Sequence, residues 1–398
     1  RVKHTMTESR WGLIFLSLLI GVSAASYVGK MPPAITEIRF ELSLSLVSAG
    51  WTVSIFSGIG ALTGILAGVF GDSLGRLRTV IYSLLLMSAG SFLGAFSNSE
   101  ITLLISRLIE GFGFIGIMAV VPSIIVNFGN DKYRSLAVSL WSSVTPIGMT
   151  VAIISAPYTL DLIGWRGLWI LTATLSCVLL VCILLFFPKS ERVKDKKKTS
   201  YWSNIKKTTT VKGPWLLSIC FMTYTFQWMT VMVWLPTFLI EEKDYSLIAA
   251  SGMAAAGVAI NIFGNLLGAW LVHRGIKKWI MVSFGTIIMG TTSLFIFSND
   301  LSDNFRFYLI MCFSFFGGFQ PASLIASVPI HSPSKMLLST TNGFVYQGSQ
   351  LGQLLGPPVI AIVVTFSSSW ELVGIFLFFG TLVNLVLAQK LKNIEFTN

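Results

Sequence analysis

The chain has 398 residues, 54% of them hydrophobic and 11% charged, with a formal net charge of +11. Soluble domains carry roughly 25% charged residues, so this composition belongs in lipid, and a hydrocarbon core of ~30 Å crossed by ~20 apolar residues per helix leaves room for about twelve crossings. No reading motif or soluble domain accompanies the positive charge, which argues against a nucleic-acid partner.

In chain order, apolar runs predict helical spans over residues 11–33, 46–71, 79–97, 101–128, 135–160 and 166–188, then 215–240, 247–272, 279–298, 305–330, 337–365 and 370–390. Several exceed the minimum length, which implies tilted or kinked helices. The first span has no small-residue cleavage site after it and reads as a retained helix. With the amino terminus inside, inner segments hold Arg76, Arg78, Lys132, Arg134, the basic 189–212 connection, Arg274, Lys277, Lys278, Lys335, Lys390 and Lys392. Outer segments hold Lys30, Arg39, Arg166, Lys243 and Arg306. Such an excess of inner Lys and Arg predicts cytoplasmic termini in an inner (plasma) membrane surrounded by its lipids. Cys177, Cys182, Cys220 and Cys312 fall inside apolar spans without metal-ligand or redox spacing, so neither a metal nor a cofactor is expected.

Gly68-x-x-x-Asp72-Ser73-x-Gly75-Arg76-x-Arg78 lies between the second and third spans, and Gly268-x-x-x-Val272-His273-x-Gly275-x-Lys277-Lys278 repeats its spacing between the eighth and ninth. Val121-Pro122 matches Val328-Pro329, Ala156-Pro157 matches Gly356-Pro357, and Trp165-Arg166 matches Trp370-Glu371. The expected organisation is therefore a six-helix bundle over 1–188, a basic cytoplasmic linker over 189–214 and a second six-helix bundle over 215–398. Duplicated halves place a substrate site between them near the midplane, exposed to each side in turn by rocking.

The Gly68 to Arg78 loop resembles the loop motif of the major facilitator superfamily, and Arg107-x-x-Glu110-Gly111-x-Gly113 resembles that superfamily's second motif. The resemblance spans essentially the whole chain and implies an all-α fold of twelve transmembrane helices in two pseudo-symmetric bundles. It also implies an inner gate held by charge contacts, here Gly68, Asp72, Gly75, Arg76 and Arg78, with Arg274 and Lys277 in the second copy. Ser73, Leu77 and Val272 depart from the pattern, so the gate rests mainly on the first copy. Met31-Pro32-Pro33 and Gly164-Trp165-Arg166 are similar to the cyanate and nitroimidazole permease-like group.

Arg107 and Glu110 are charged residues three apart on one face of an apolar span, where a charge costs at least ~2.5–3.5 kcal/mol unless it faces protein or water. Burial favours the protonated carboxyl and a neighbouring guanidinium favours the carboxylate, so movement of Arg107 would bind and release a proton at Glu110. A permanent structural ion pair is the alternative. His4 is terminal and His273 and His331 fall at inner loops, which leaves no histidine relay within the spans. Asp161 is expected to cap a helix or to contact Arg166.

Amides in lipid need partners and should point inward. With the aromatic residues of the same spans they give a candidate pocket of Arg107, Tyr27, Trp141, Tyr158, Gln227, Trp228, Trp234, Asn261, Asn265, Gln320, Tyr346, Gln347 and Gln350, with Gln227, Asn261 and Tyr346 foremost. The fifth span lacks the full Gly-Pro-x-x-Gly-Gly pattern that resemblance associates with antiporters. The expected function is thus transport of a small anionic or neutral polar solute by proton symport, by a monomer. Efflux of amphipathic compounds is the alternative. A membrane hydrolase would need a nucleophile with its base or clustered metal ligands, and a sensor would carry an added soluble domain.

Overall fold

The computed structural model describes residues 11–74, 76–128, 140–141, 143–187, 201–334 and 337–397, and within them the protein is built of helices and short turns. In chain order these are α1 (Trp11–Gly29), α2 (Met31–Leu42), α3 (Leu46–Ser54), α4 (Gly58–Leu74), α5 (Arg76–Ala95), α6 (Glu100–Phe128), α7 (Val144–Phe186), α8 (Tyr201–Thr209) and α9 (Lys212–Lys243). There follow α10 (Leu247–His273), α11 (Lys278–Ile296), α12 (Asp303–Gly317), α13 (Phe319–His331), α14 (Leu338–Ser367) and α15 (Glu371–Thr397). A single 3-10 turn, Ile55–Ser57, joins α3 to α4. Below, "outer" denotes the end of the bundle opposite the termini.

Nine of these helices, together with the continuous runs Leu46–Leu66 (α3 into α4) and Asp303–His331 (α12 into α13), give eleven described segments long and apolar enough to cross a membrane. One of them, α7, has 43 residues, about 64 Å or twice a hydrocarbon core. It is two crossings joined at Gly164, whose φ of 64° and ψ of 179° lie in a region essentially reserved for glycine. Counting that turn, the described helices make twelve crossings.

Corresponding turns are built alike in the two halves. Ser43 (φ 50°) and Asp244 (φ 53°) end α2 and α9 in the left-handed conformation. Ser45 and Ser246 then cap the next helices, accepting hydrogen bonds from Ser48 N at 3.0 Å and Ala249 N at 3.3 Å, which satisfies one orphan donor at each helix start. Packing repeats too: α5 lies against α6 as α11 lies against α12, and α4 against α6 as α10 against α12. Gly111 of α6 lets the 3-10 turn leading into α4 approach closely. A Cβ there would stand 2.1 Å from the Phe56 carbonyl oxygen.

The halves meet where α14 packs on α3 and α4, α10 on α7, and α9 on α2. Helix α8 lies within the 189–214 connection, and residues 188–200 fall outside the described set.

Candidate coupling and substrate site

The first half is polar at its centre, between α1/α2, α5, α6 and the second crossing of α7. Glu110 of α6 uses both carboxylate oxygens: Oε1 lies 2.8 Å from Lys30 Nζ, and Oε2 pairs with Arg107 Nη1. All three side chains are fully buried. Lys30 also donates to Ser91 Oγ at 2.9 Å and Thr172 Oγ1 at 3.1 Å, and its ammonium lies 4.3 Å from the Tyr27 ring centroid and 4.2 Å from that of Trp169. Arg107 donates to the Tyr27 carbonyl at 3.1 Å and the Thr52 carbonyl at 3.3 Å, with its guanidinium 4.6 Å from the Phe56 ring centroid. Tyr27 is fixed in turn, its hydroxyl donating to the Thr172 carbonyl at 2.9 Å and lying 2.8 Å from Ser176 Oγ.

The position of Lys30 corrects the expectation that it lies in an outer loop. The Pro32-Pro33 pair suggests a helix end, but both prolines occupy the first turn of α2, where a missing N–H costs nothing. Lys30 keeps helical dihedrals (φ −69°, ψ −25°), so α1 runs into α2 and the first crossing reaches Leu42 rather than residue 33. Lys30 therefore sits 12 residues short of the outer end, about 18 Å deep, level with Glu110 at about 15 Å. Arg306, also expected in an outer loop, is buried and donates to carbonyls of Ile296, Ser298 (2.9 Å) and Leu301 (3.2 Å) after α11. His331 departs similarly: it is buried at the inner end of α13, against Gly213.

The second half has an uncharged polar centre. Asn384 donates to Gln320 Oε1 at 2.8 Å and Thr286 Oγ1 at 3.0 Å, and Gln320 Nε2 lies 3.1 Å from Met289 Sδ. Gln227 lies 3.5 Å from Thr381 Oγ1. Gln227 and Gln320 thus point into their own lobe, where partners on α11 and α15 satisfy them. Asn261 donates to the Ser314 carbonyl at 2.7 Å and lies 3.4 Å from Tyr224 Oη, and Trp228 Nε1 donates to Ser314 Oγ at 2.9 Å. Trp234 is buried, donating to the Pro357 carbonyl at 3.0 Å.

The remaining candidates lie along the contact between the halves or near it. Gln347 donates across to the Ala61 carbonyl at 2.7 Å, and Gln350 rests on Gly60. Tyr346 is 46% exposed, its ring 5.8 Å from Phe221. Tyr158, 57% exposed, lines a crevice of about 310 Å³ between α7 and α10 with Thr150, Ile248 and Gly252. Trp141 lies against Gly21 of α1, and Asn265 is half-buried with its backbone against Gly318. Of the gate residues, Arg76 is half-buried and Arg78 exposed. Gly68 and Asp72 lie in α4 with side chains outside the described set, and Gly75 is outside it altogether. In the second copy the Arg274 guanidinium stands 4.8 Å from the Trp270 ring centroid, Gly275 turns with φ 95°, and Lys277 precedes α11.

At the outer rim the end of α2, beyond Met31-Pro32-Pro33, meets the Gly164-Trp165-Arg166 turn of α7. Helix α2 presents Glu37 and Glu41 to the α7 turn: Trp165 N donates to Glu37 at 3.1 Å, Trp165 Nε1 to Glu41 Oε2 at 2.5 Å, and Arg166 pairs with Glu41 Oε1. Arg166 is thus paired with Glu41 and not with Asp161. Midway between those two glutamates and on the opposite face of α2, Arg39 crosses to Glu241 of α9 at 2.6 Å.

The family model described as Major Facilitator Superfamily matches residues 13–337. The chain belongs to that superfamily. It is 25% identical over 394 residues to a Bacillus subtilis (strain 168) protein named for niacin/nicotinamide transport, NiaP, covering 95% of this chain and 97% of that one. It is 24% identical over 351 residues to the cis,cis-muconate transport protein of Acinetobacter baylyi, covering 84% and 83%. Its fold matches the crystal structure of a bacterial homologue of the human lysosomal transporter Spinster, inward-facing and unoccupied, with a TM-score of 0.78 at 17% identity over 97% of each chain. Membership makes the protein a multi-pass membrane transporter of small solutes rather than an enzyme. Lys30, Ser91, Thr172 and Asn384 carry its polar centres and escaped the sequence reading; one buried acid beside one arginine gave no hint of a second cation.

Proposed function

We propose that this transporter takes up a small organic anion of the carboxylate class together with protons, by alternating access between lobes formed by residues 1–188 and 215–398. The observation that carries this reading is the sealed Lys30–Glu110–Arg107 set, in which two cations share one carboxylate. One positive charge stays in excess in a desolvated interior, where an anion is the natural complement. Niacin and cis,cis-muconate, named in two relatives, are both carboxylates. The Met31-Pro32-Pro33 and Gly164-Trp165-Arg166 motifs are in keeping with the cyanate and nitroimidazole permease-like group. Removing Lys30 from the outer count sharpens the charge asymmetry that favours cytoplasmic termini in an inner membrane. The protein acts as a monomer in this reading, with the basic linker on the cytoplasmic side.

Proteoliposomes test it directly. With the interior alkaline, labelled nicotinate or cis,cis-muconate should accumulate several-fold, and a protonophore should collapse that accumulation. Failure of wild-type protein to concentrate either would reject the reading. Expulsion of preloaded compound driven by the opposite gradient would assign efflux instead.

A further inference from the structure

Arg107 stays protonated in proteins, so the buried set changes charge only at Lys30 or Glu110. With Lys30 as an ammonium the set carries one excess positive charge; with Lys30 as an amine it is neutral. Protonating Glu110 would leave two unpaired cations in a sealed interior, the costliest of the three states. The low-cost exchange therefore lies at the lysine, the cation that gives up its proton when buried.

The surroundings supply partners for both forms. Ser91 Oγ and Thr172 Oγ1 can accept from an ammonium or, by rotating their hydroxyls, donate to an amine. The Tyr27 and Trp169 rings favour the cation. The titratable or charged groups facing Lys30 are Tyr27 on its own helix and Glu110 and Arg107 on α6. Helix α5 brings Ser91, and α7 brings Trp169 and Thr172, with Cys177 farther along, against Ser88.

The two cations also face different ways. Lys30 looks back to α5 and α7, whereas Arg107 lies on the Thr52 carbonyl of α3 and the Phe56 ring, and α3 packs on α14 of the other lobe. We infer that Lys30 is the group that takes up and releases the coupled proton, and that when protonated it holds Glu110 so that Arg107 is free to pair with the substrate's carboxylate. This rests on the carboxylate-symport reading above. An Nζ–H bond forms with a proton taken from water on one side and breaks to water on the other, the electron pair staying on nitrogen. Proton and anion then favour each other's binding, because the anion neutralises the charge the proton adds.

The test is the pH profile of nicotinate affinity between about pH 6 and 9, where an ordinary carboxylate is fully ionised. Wild-type affinity should fall towards tenfold per pH unit at the upper end. Lys30→Arg should flatten the profile, and Lys30→Gln should be flat and weaker at every pH. A Lys30→Arg profile that follows wild type overturns the inference. Should these variants misfold, proton uptake by wild-type protein on saturation with nicotinate in weakly buffered detergent decides it: about one proton per bound ligand supports the inference, none overturns it. Wild-type protein that binds neither nicotinate nor cis,cis-muconate at any pH fails at the carboxylate reading, and the lysine's role falls with it.

Discussion

When Val121-Pro122 is laid over Val328-Pro329, Arg107 falls on Ser314 and Glu110 on Gly317, and when Ser43 is laid over Asp244, Lys30 falls on Val231. All three members of the charged set are absent together from the second half. Its own centre is the neutral group of Gln320, Asn384, Thr286 and Gln227. Structural features outside the centres are shared, including the left-handed Ser43 and Asp244 and the buried Trp165 and Trp370. The halves thus share a frame and differ in the charge at their centres. A lobe whose centre holds charge can change state with pH; a lobe held by amides gives its partner a fixed surface to move against.

The strongest way to break this contrast is to leave part of the charged set behind. Glu110→Gln strands two buried cations and should cost about 3–5 kcal/mol, because removing one partner leaves uncompensated charge. It should also abolish pH-driven accumulation. Replacing Lys30, Arg107 and Glu110 together by Met should keep stability within about 2 kcal/mol of wild type, since apolar replacement of a whole buried set is often neutral, while uptake is lost. Thermal melting in detergent ranks the two. A triple variant that melts below Glu110→Gln would mean that the three residues do not act as one buried unit.

Much of this frame was legible in the sequence. Twelve spans follow from apolar run lengths, and Arg107 and Glu110 stand out because charge inside such a run is costly. Lys30 was hidden by Pro32-Pro33, which reads as an ending. The better signal was the continued helical spacing of Ala34, Ile35 and Ile38, all buried, which carries the helix past the prolines. The amides were legible as inward-facing residues but not as members of a particular cluster. Gln227, Gln320 and Asn384 come from three helices remote in sequence, and nothing in one helix's pattern says which neighbour will satisfy it. Ser91 and Thr172 are small and common in spans, so only geometry distinguishes them.

The neutral lobe gives a sharper and smaller effect. Asn384→Leu removes donors to Gln320 and Thr286 and leaves the buried Gln320 oxygen without its partner, at about 1–3 kcal/mol. The melting temperature should drop, yet the pH profile of nicotinate uptake should keep its wild-type shape. A displaced profile would show that the amide centre takes part in proton coupling, and the division between the lobes would fail.

The least costly change tests how the lobes are held together. Arg39 and Glu241 pair across the outer rim at 2.6 Å with both side chains partly exposed, and such pairs contribute about 0–1 kcal/mol. Arg39→Gln should therefore leave melting almost unchanged. A contribution of that size can still shift an equilibrium between states that differ by only a few kcal/mol. Beneath the pair lies a cavity of about 360 Å³ lined by Pro33, Thr36, Glu37, Phe40, Leu160, Ile240 and Leu247. In an otherwise cysteine-free chain, Thr36→Cys should react a few-fold faster with a membrane-impermeant thiol reagent once Arg39 is replaced, because the rim then opens more often. An unchanged labelling rate would show that apolar contacts around Leu160 and Ile240 hold the rim shut and that the ion pair merely decorates it.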